Sequence, residues 1–492
     1  MKDLRQKTIR GGFAKLCAQG ANFSIRLCSI MILARLLGPK DYGLVGMVTA
    51  FTGVLSLFRD FGLSAATVQR TNVTEQQIST LFWINILVGA LLGLLTVAMA
   101  PAIAAFYHEP RLAAVTCVLA TAFLLNAAGV QHWALLQRQM RFAALAVINS
   151  IALLVSATIA ICAAKAGYGY WALVTMTVSG QAINLIGLCL ATHWVPGLPR
   201  RVAEIRTMMR FGSIVTLNGL VVYVATNFEK VLLGRFWGVD AIGIYGRAYQ
   251  FINIPTDNLN TAAGEVAFSA LSRLQNDPVR LRSYFLKGYS LVVALTMPIT
   301  VACALFPDDI IFVFLGPKWK EAAAIFRLLA PTMLVFAIVN PLSWLLTSIG
   351  LVGRLLKVSL LITPFMIGGY VVGLPYGPKG VALAYSAVMT LSLCPLVASC
   401  VRGTVISSKD MWSVLSQPLA SSIAAGGLAF GASLLYSQLF SPLPRLILEC
   451  AILLGTYLGL LLFVAGQKSF YLDLLRGLRG SSPVREKSLA SA

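Results

Sequence analysis

Long apolar stretches alternate with short polar connections along the 492-residue chain. A helix that crosses a bilayer needs roughly 20 mostly apolar residues, and about fourteen stretches meet that length. Clusters of glycine, proline and charge separate them, such as GPKDYG at 38–43. The pattern predicts an all-α polytopic membrane protein. The predicted segments are 13–37, 41–63, 79–106, 112–136, 143–166, 169–193, 211–237, 241–265, 285–314, 322–349, 354–375, 379–401, 413–436 and 443–466.

The composition supports a membrane protein. Hydrophobic residues make up 58% of the chain and charged residues only 12%, against about 25% charged in a soluble domain. This excludes an ordinary soluble enzyme. The cysteines and histidines are scattered, and there is no phosphate-binding loop. We therefore expect no disulfide framework, no metal and no cofactor.

The net charge of +21 has a topological explanation. The cations lie between apolar stretches without a dense basic run, so no nucleic-acid partner is predicted. With the N-terminus in the cytoplasm, most Lys and Arg residues fall in cytoplasmic loops, as the positive-inside rule requires. Acids such as Asp308 and Asp309 fall on the other side. Both termini are therefore predicted to be cytoplasmic. The apolar run from Phe13, interrupted by Arg26, is too long for a cleaved signal peptide.

An internal repeat divides the chain. The segment ARLLGPKDYGLVGM at 34–47 is similar to GRFWGVDAIGIYGR at 234–247. An even number of predicted segments separates the copies, so the repeats are parallel. The repeat predicts two six-helix lobes, 1–200 and 201–405, followed by two helices in 406–470 and a cytoplasmic tail, 471–492. The recurring residues are Arg35, Gly38, Gly43 and Gly46, which return as Arg235, Gly238, Gly243 and Gly246.

Several polar residues lie inside the apolar segments, where an ionisable group costs about 2.5–3.5 kcal/mol and therefore usually faces a cavity or a partner. They concentrate on the first two segments of each predicted lobe. A cavity with several cations suits an anionic ligand such as a phosphate. The alternatives are hydrogen bonds from Arg26 to helix carbonyls and snorkelling of Arg59 to lipid phosphate. The predicted substrate-binding residues are Asn22, Arg26, Arg59, Asn227, Lys230 and Arg247.

A second set of residues is a candidate for ion coupling or gating. In the eighth segment, Pro255 lies beside a polar face that includes Asp257, and a proline there can break the helix. The alternative is a structural kink closed by side-chain hydrogen bonds. The predicted coupling or gating residues are Asp60, Glu229, Pro255, Asp257 and Glu265.

Ordered motifs give the chain a family resemblance over roughly its first two thirds. Besides the repeat segment at 34–47, they are FGLSAATVQR at 61–70, STLFWIN at 79–85, FYHEPRL at 106–112, VAFSALSRLQND at 266–277 and FLGPKWKEAA at 314–323. The chain resembles the polysaccharide transporter (oligosaccharide and lipopolysaccharide flippase) family of the multidrug/oligosaccharidyl-lipid/polysaccharide exporter superfamily. The last two helices match that family only by topology.

The resemblance implies a bacterial inner-membrane flippase rather than an enzyme. Its substrate would be an undecaprenyl-diphosphate-linked oligosaccharide, moved to the periplasmic leaflet by alternating access without ATP hydrolysis. Membrane lipids, a polysaccharide polymerase and a chain-length regulator are the partners it suggests. One alternative is a multidrug or cation exporter of the same superfamily, which would need an acidic or aromatic cavity. The other is a membrane glycosyltransferase or polymerase, which would need catalytic acids or large loops.

Overall fold

The computed structural model describes residues 20–59, 74–198, 205–436, 439–468 and 471. These residues form helices, with no β-strand among them. The helices are α1 (20–36), α2 (Pro39–Ser56), α3 (Glu75–Tyr107), α4 (Arg111–Arg138), α5 (Phe142–Lys165), α6 (Trp171–Thr192), α7 (Ile205–Arg273), α8 (Pro278–Leu305), α9 (Pro307–Phe314), α10 (Lys320–Ser348), α11 (Val352–Gly373), α12 (Gly377–Leu391), α13 (Leu393–Val401), α14 (Ser408–Tyr436) and α15 (Pro442–Gly459).

Local sequence signals set several helix ends. Thr74 and Gln77 form a reciprocal capping box at the start of α3, in which the backbone amide of each donates to the side chain of the other at 3.0 and 3.3 Å. Two backbone donors at the helix start are thereby satisfied. Asp277 caps α8 by accepting from the backbone amide of Arg280 at 3.0 Å, and Pro278 occupies the first turn, where no amide donor is needed.

Within the described residues, the predicted apolar segments fall on helices, with three differences in how the segments are divided; residues 13–19 and 60–63 of the first two segments lie outside the described residues. Segment 285–314 is two helices, because α8 ends at Leu305 and α9 begins at Pro307. Segment 379–401 is likewise divided between α12 and α13. The segments predicted at 211–237 and 241–265 follow one another within α7 and are separated by Gly238 alone, whose φ of 83° interrupts the helix.

Nine stretches of the described residues are long and apolar enough to span a membrane. Their outer faces agree with lipid contact: on α3, Leu87, Leu91 and Leu94 share one helical face and are 60%, 57% and 67% exposed. Such a stripe is unfavourable in water and favourable in hydrocarbon. The chain is therefore an all-α, multi-pass membrane protein, as predicted. The total helix count and the lobe boundaries stay predictions.

The described residues cluster into two compact units. The first unit consists of the described residues up to Tyr249, of Ile311–Ile325 and of Ser359–Val388. The second unit consists of the remaining described residues. In the first unit α4 packs against both α3 and α6, and α6 packs against α5. In the second unit α14 and α15 pack against each other and against α8.

Side-chain bonds fix the two C-terminal helices, α14 and α15, to α8 and α9 in the second unit. Arg282 of α8 forms a two-pronged pair with Asp410 of α14, at 2.6 and 3.0 Å. Arg445 of α15 makes a similar pair with Asp309 of α9. Two planar arginine–carboxylate contacts resist rotation better than single hydrogen bonds, so these four helices are tied together at several points.

The two copies of the repeat meet inside the first unit, and we call residues 34–47 and 234–247 the repeat junction. A Cβ added at Gly43 would overlap the backbone carbonyl of Val239, and one added at Gly243 would overlap that of Pro39. The two contacts are equivalent: adding 200 to Gly43 and subtracting 200 from Val239 gives the positions of Gly243 and Pro39. The copies therefore pack reciprocally, which is the arrangement that a two-fold-related pair of helix starts produces.

Further contacts involve residues at equivalent positions of the two copies. Lys40 and Asp240, which occupy equivalent repeat positions, are 3.9 Å apart. The Arg35 guanidinium donates to the carbonyl of Val313 at 2.8 Å, whereas Arg235 lies 3.0 Å from the His108 Nδ1 atom. The arginine of the first copy thus bonds α9, which follows the second copy in the chain, and the arginine of the second copy lies beside the residue after α3, which follows the first copy.

We predict that glycine at 43 and 243 is required for this close approach. Gly43→Ala and Gly243→Ala should each lower the free energy of unfolding by about 1–3 kcal/mol, the usual cost of overpacking, because a backbone carbonyl cannot rotate away. The apparent melting temperature of the purified protein in detergent measures this. Gly246→Ala is the matched control, since nothing lies within 4 Å of an added Cβ there. Equal stability of all three variants would contradict the prediction.

Candidate functional site

A polar cleft of about 340 Å³ opens in the first unit, between α4, α6 and the residues that follow α2. This volume lies near the lower end of the roughly 300–1,000 Å³ typical of ligand sites. Arg59 is the predicted substrate-binding residue that lines it. We use the name polar cleft for the site formed by Arg59, Asn126, Trp133, Gln181 and Asn184, with leucine, valine and glycine completing the wall.

Three carboxamides of the polar cleft are partly paired with neighbours. Asn126 Nδ2 donates to Gln181 Oε1 at 3.3 Å, and the buried Asn126 Oδ1 has no hydrogen-bond partner among the described residues. Asn184 Nδ2 donates to Asn149 Oδ1 at 2.6 Å. A carboxamide can make up to four hydrogen bonds, so donors and acceptors remain for a ligand.

Sequence reasoning missed these amides because it followed charged residues, which are rare in the third to sixth segments. A signal was present: Gln181 and Asn184 are three residues apart and therefore share a face of the otherwise apolar α6. Asn126 lies on α4, and only the packing of α4 against α6 brings it to Gln181.

Lys230 lies half-buried on α7 beside Asn227, which is also a predicted substrate-binding residue. Its ammonium donates to Asn227 Oδ1 at 2.6 Å and lies 6.0 Å from the centroid of the Tyr249 ring. Asn227 in turn donates to the carbonyl of Tyr223 at 3.0 Å. The structure thus brings two predicted substrate-binding residues together, and the amide holds the ammonium without neutralising it.

Glu229, next to Lys230 in sequence, is 1% exposed. Neither of its carboxylate oxygens has a hydrogen-bond partner among the described residues. It lies close enough to Tyr245, Tyr370 and Tyr385 to interact with them electrostatically. An ionised carboxylate in such surroundings is costly unless it is paired or protonated.

The aromatic rings around Glu229 form a continuous group, which we call the tyrosine cage: Tyr245, Tyr249, Tyr370 and Tyr385. Neighbouring ring centroids lie 5.7–6.1 Å apart. Tyr370 is anchored through its hydroxyl, which donates to the carbonyl of Ala225 at 3.1 Å. The rings come from α7, α11 and α12, so their convergence could not be seen from sequence spacing.

The remaining predicted cations have different surroundings. The Arg247 guanidinium lies 3.5 Å from the Tyr42 ring centroid, and Tyr42 packs edge-on against Trp319. This cation–π contact ties one copy of the repeat to the other. Arg26 is exposed on α1, where Asn22 is half-buried with a buried Oδ1 that has no partner among the described residues. Their roles in substrate binding stay predictions.

The predicted gating residues are placed only in part. At Pro255 the backbone of α7 stays helical, and its interior non-helical residue is Gly238. A gating role for Pro255 stays a prediction. Membrane helices tolerate proline when neighbouring groups satisfy the backbone. Asp257 is exposed. Asn260, three residues after Asp257 on α7, accepts from Trp344 Nε1 at 2.8 Å.

Two predicted coupling residues cannot be placed. Asp60 lies outside the described residues, and the side chain of Glu265 does too. Glu229 is therefore the predicted coupling residue for which the structure defines a buried environment.

Comparisons with known proteins agree on one group. Residues 32–324 match the family described as polysaccharide biosynthesis protein. The lipopolysaccharide biosynthesis protein WzxC of Escherichia coli is 26% identical over 79% of this chain and 80% of its own length. The teichuronic acid biosynthesis protein TuaB of Bacillus subtilis is 30% identical over 57% of this chain and 59% of its own. The succinoglycan biosynthesis transport protein ExoT of Rhizobium meliloti is 23% identical over 65% and 64%.

Solved structures give the fold. The lipid II flippase MurJ in an inward closed conformation superposes with a TM-score of 0.74 at 15% identity, over 94% of this chain and 99% of that one. An inward-facing multidrug transporter of the MATE family gives 0.59 at 14% identity, over 80% and 96%. These likenesses show the fold. Among the relatives, ExoT is named a transport protein, which agrees with the prediction of a transport protein rather than an enzyme. Since the family match covers more than half of the sequence, the chain belongs to the polysaccharide biosynthesis protein family.

Proposed function

We propose that the protein is an inner-membrane flippase for undecaprenyl-diphosphate-linked oligosaccharides. It moves them from the cytoplasmic to the periplasmic leaflet for exopolysaccharide or lipopolysaccharide synthesis. The names of its relatives, which include lipopolysaccharide and succinoglycan biosynthesis proteins, support the polysaccharide part. The fold shared with a lipid II flippase supports the lipid-linked part.

The observation that carries the proposal is positive charge that lacks an ion-pair partner among the described residues and lies within or beside apolar helices. Among the described residues, no carboxylate forms an ion pair with Arg26, Arg59 or Lys230. Cations retained in such places at a cost in free energy point to an anionic partner that arrives with the ligand. A lipid diphosphate, with or without acidic sugars, supplies that charge.

The proposed transport cycle needs no chemical step from the protein. The diphosphate and first sugars enter a cationic cavity while the lipid tail stays in the bilayer, and the cations offset the loss of hydration of the diphosphate. Alternating access between the two predicted lobes then exposes the sugars to the periplasm. We propose cytoplasmic termini, and a polysaccharide polymerase and a chain-length regulator as partners that receive the product.

We propose Glu229 as the group that couples transport to protons or sodium ions. Its carboxylate is buried and unpaired among the described residues, so its charge state depends on whether a cation reaches it. Asp60, Asp257 and Glu265 remain further candidates. Energy input from an ion gradient would replace the ATP hydrolysis for which the sequence has no phosphate-binding loop.

A multidrug or cation exporter is the second candidate, and one observation favours it. Buried Glu229 and the tyrosine cage provide the acidic and aromatic surroundings that bind organic cations. The likeness to a multidrug transporter is one of fold alone. The two candidates differ in the sign of the ligand charge, which makes them separable by experiment.

We predict that Arg26→Ala and Lys230→Ala each reduce surface polysaccharide about tenfold or more, since a hydrogen bond to a charged group contributes about 1.5–3 kcal/mol. The deletion strain should accumulate a lipid-linked oligosaccharide on the cytoplasmic side. Surface polysaccharide and extracted lipids, compared with wild type, measure both effects. Lys357→Ala is the control, because Lys357 is an exposed lysine on α11.

The same strains test the alternative. If Arg26→Ala and Lys230→Ala leave surface polysaccharide unchanged and alter drug tolerance, the flippase proposal is wrong and the exporter is favoured. If the deletion strain accumulates no lipid-linked oligosaccharide, the flippase proposal also fails.

We predict that Glu229→Gln abolishes the response of transport to an imposed pH or sodium gradient in proteoliposomes. Glutamine is isosteric with the protonated acid, so the tyrosine cage should keep its packing. Glu449→Gln is the matched control: Glu449 is also a buried glutamate, 3% exposed, but it lies on α15 in the second unit. A gradient response that survives in Glu229→Gln, with the protein folded, would exclude Glu229 as the coupling group.

A further inference from the structure

The polar cleft differs chemically from the rest of the predicted cationic site. Among the described residues that line it, Arg59 is the one cation, the amide groups are those of Asn126, Gln181 and Asn184, and none is a carboxylate. A site built for a diphosphate alone would gain more from further cations than from neutral amides, so the amides need a different ligand group.

The unused hydrogen-bonding atoms of the polar cleft include both donors and acceptors. Asn126 Oδ1 is a buried acceptor without a partner among the described residues. Gln181 uses Oε1 to accept from Asn126, which leaves the two Nε2 donors of Gln181. Asn184 donates to Asn149 through Nδ2, which leaves Asn184 Oδ1 as an acceptor.

This mixture of donors and acceptors suits sugar hydroxyls. Each hydroxyl both donates one hydrogen bond and accepts others, so neighbouring hydroxyls on a pyranose ring can satisfy an adjacent acceptor and donor together. The half-exposed indole of Trp133 adds an amphipathic aromatic surface at the edge of the cleft. Such a surface covers the C–H face of a sugar ring.

Arg59 then sets the orientation. Its planar guanidinium fits a carboxylate or a phosphate through two parallel hydrogen bonds. The amides lie near the middle of α4 and α6, whereas Arg59 lies beyond the last residue of α2. A sugar at the amides and an anionic group at Arg59 would both lie in the polar cleft, because Arg59 and the amides line it together.

We propose that the polar cleft is a saccharide subsite, in which Asn126, Gln181 and Asn184 bind hydroxyls of the transported oligosaccharide and Arg59 binds its neighbouring anionic group. This rests on the proposed flippase function and deepens it, because it assigns sugar recognition to α4 and α6 of the first unit. The anionic group is either an acidic sugar or the lipid diphosphate, and the two sources predict different responses to loss of Arg59.

The test uses the purified full-length protein and two probes. One is the water-soluble oligosaccharide released by mild acid from the lipids of the deletion strain, and the other is undecaprenyl diphosphate without sugar. Gln181→Leu and Asn126→Leu should weaken binding of the released oligosaccharide about tenfold or more, because each leaves hydroxyls unpaired. Binding of undecaprenyl diphosphate should not change. Titration calorimetry in detergent measures both.

The control is Gln417→Leu, which also breaks an amide–amide pair, with Gln467, but at an exposed position on α14. It should bind both probes as wild type does. If a leucine variant fails to fold, Gln181→Glu replaces it, since that change keeps the shape and an acceptor but removes both donors. It should weaken binding of the oligosaccharide as well.

The remaining outcomes decide the proposal. If Arg59→Ala weakens only the oligosaccharide, the anion is an acidic sugar, and if it weakens undecaprenyl diphosphate, the anion is the diphosphate. Unchanged oligosaccharide binding in folded Gln181 and Asn126 variants would overturn the subsite. That result would leave the flippase proposal standing as long as the deletion strain still accumulates lipid-linked oligosaccharide.

Discussion

The backbones at the starts of α2 and of the second half of α7 approach so closely that glycine is needed at 43 and 243. At each glycine the neighbour is a backbone carbonyl, of Val239 or of Pro39, and not a flexible side chain. Interactions nearby depend on this distance, including the stacking of Arg247 on Tyr42. The repeat junction therefore fixes the start of α2, the helix before Arg59, and the end of the first half of α7, which carries Lys230.

A second constraint is the cost of charge in an apolar environment. Lys230 is held by Asn227 and a tyrosine ring, which position its ammonium and leave its charge in place. Glu229, one residue earlier, is buried and interacts electrostatically with three rings of the tyrosine cage. Since adjacent residues lie on different faces of a helix, a single stretch of α7 carries a half-buried cation and a buried acid on different faces. The proposed ligand binding and ion coupling would therefore use one helix.

The charged residues of the candidate site could be predicted from the sequence, whereas the amides of the polar cleft were missed. Arg59 and Lys230 stand out because a cation in an apolar segment is expensive, whereas the amides of Asn126 and Gln181 cost less and are easily overlooked. The interruption of α7 also lies at a residue that the search for polar faces did not single out. Pro255 is accommodated within α7, and the interruption is at Gly238, where only a residue without a Cβ adopts the positive φ readily.

The sequence by itself determined the membrane class, the positions of the apolar helices and the repeat, because hydrophobicity, length and spacing are local properties that the bilayer selects directly. The family resemblance was likewise present in ordered motifs. Tertiary structure alone decided which distant residues meet. Asn126 reaches Gln181, the four rings of the tyrosine cage converge, and Gly43 and Gly243 each contact the backbone of the other repeat copy. Those partners lie tens to hundreds of residues apart, and only helix packing determines their distance.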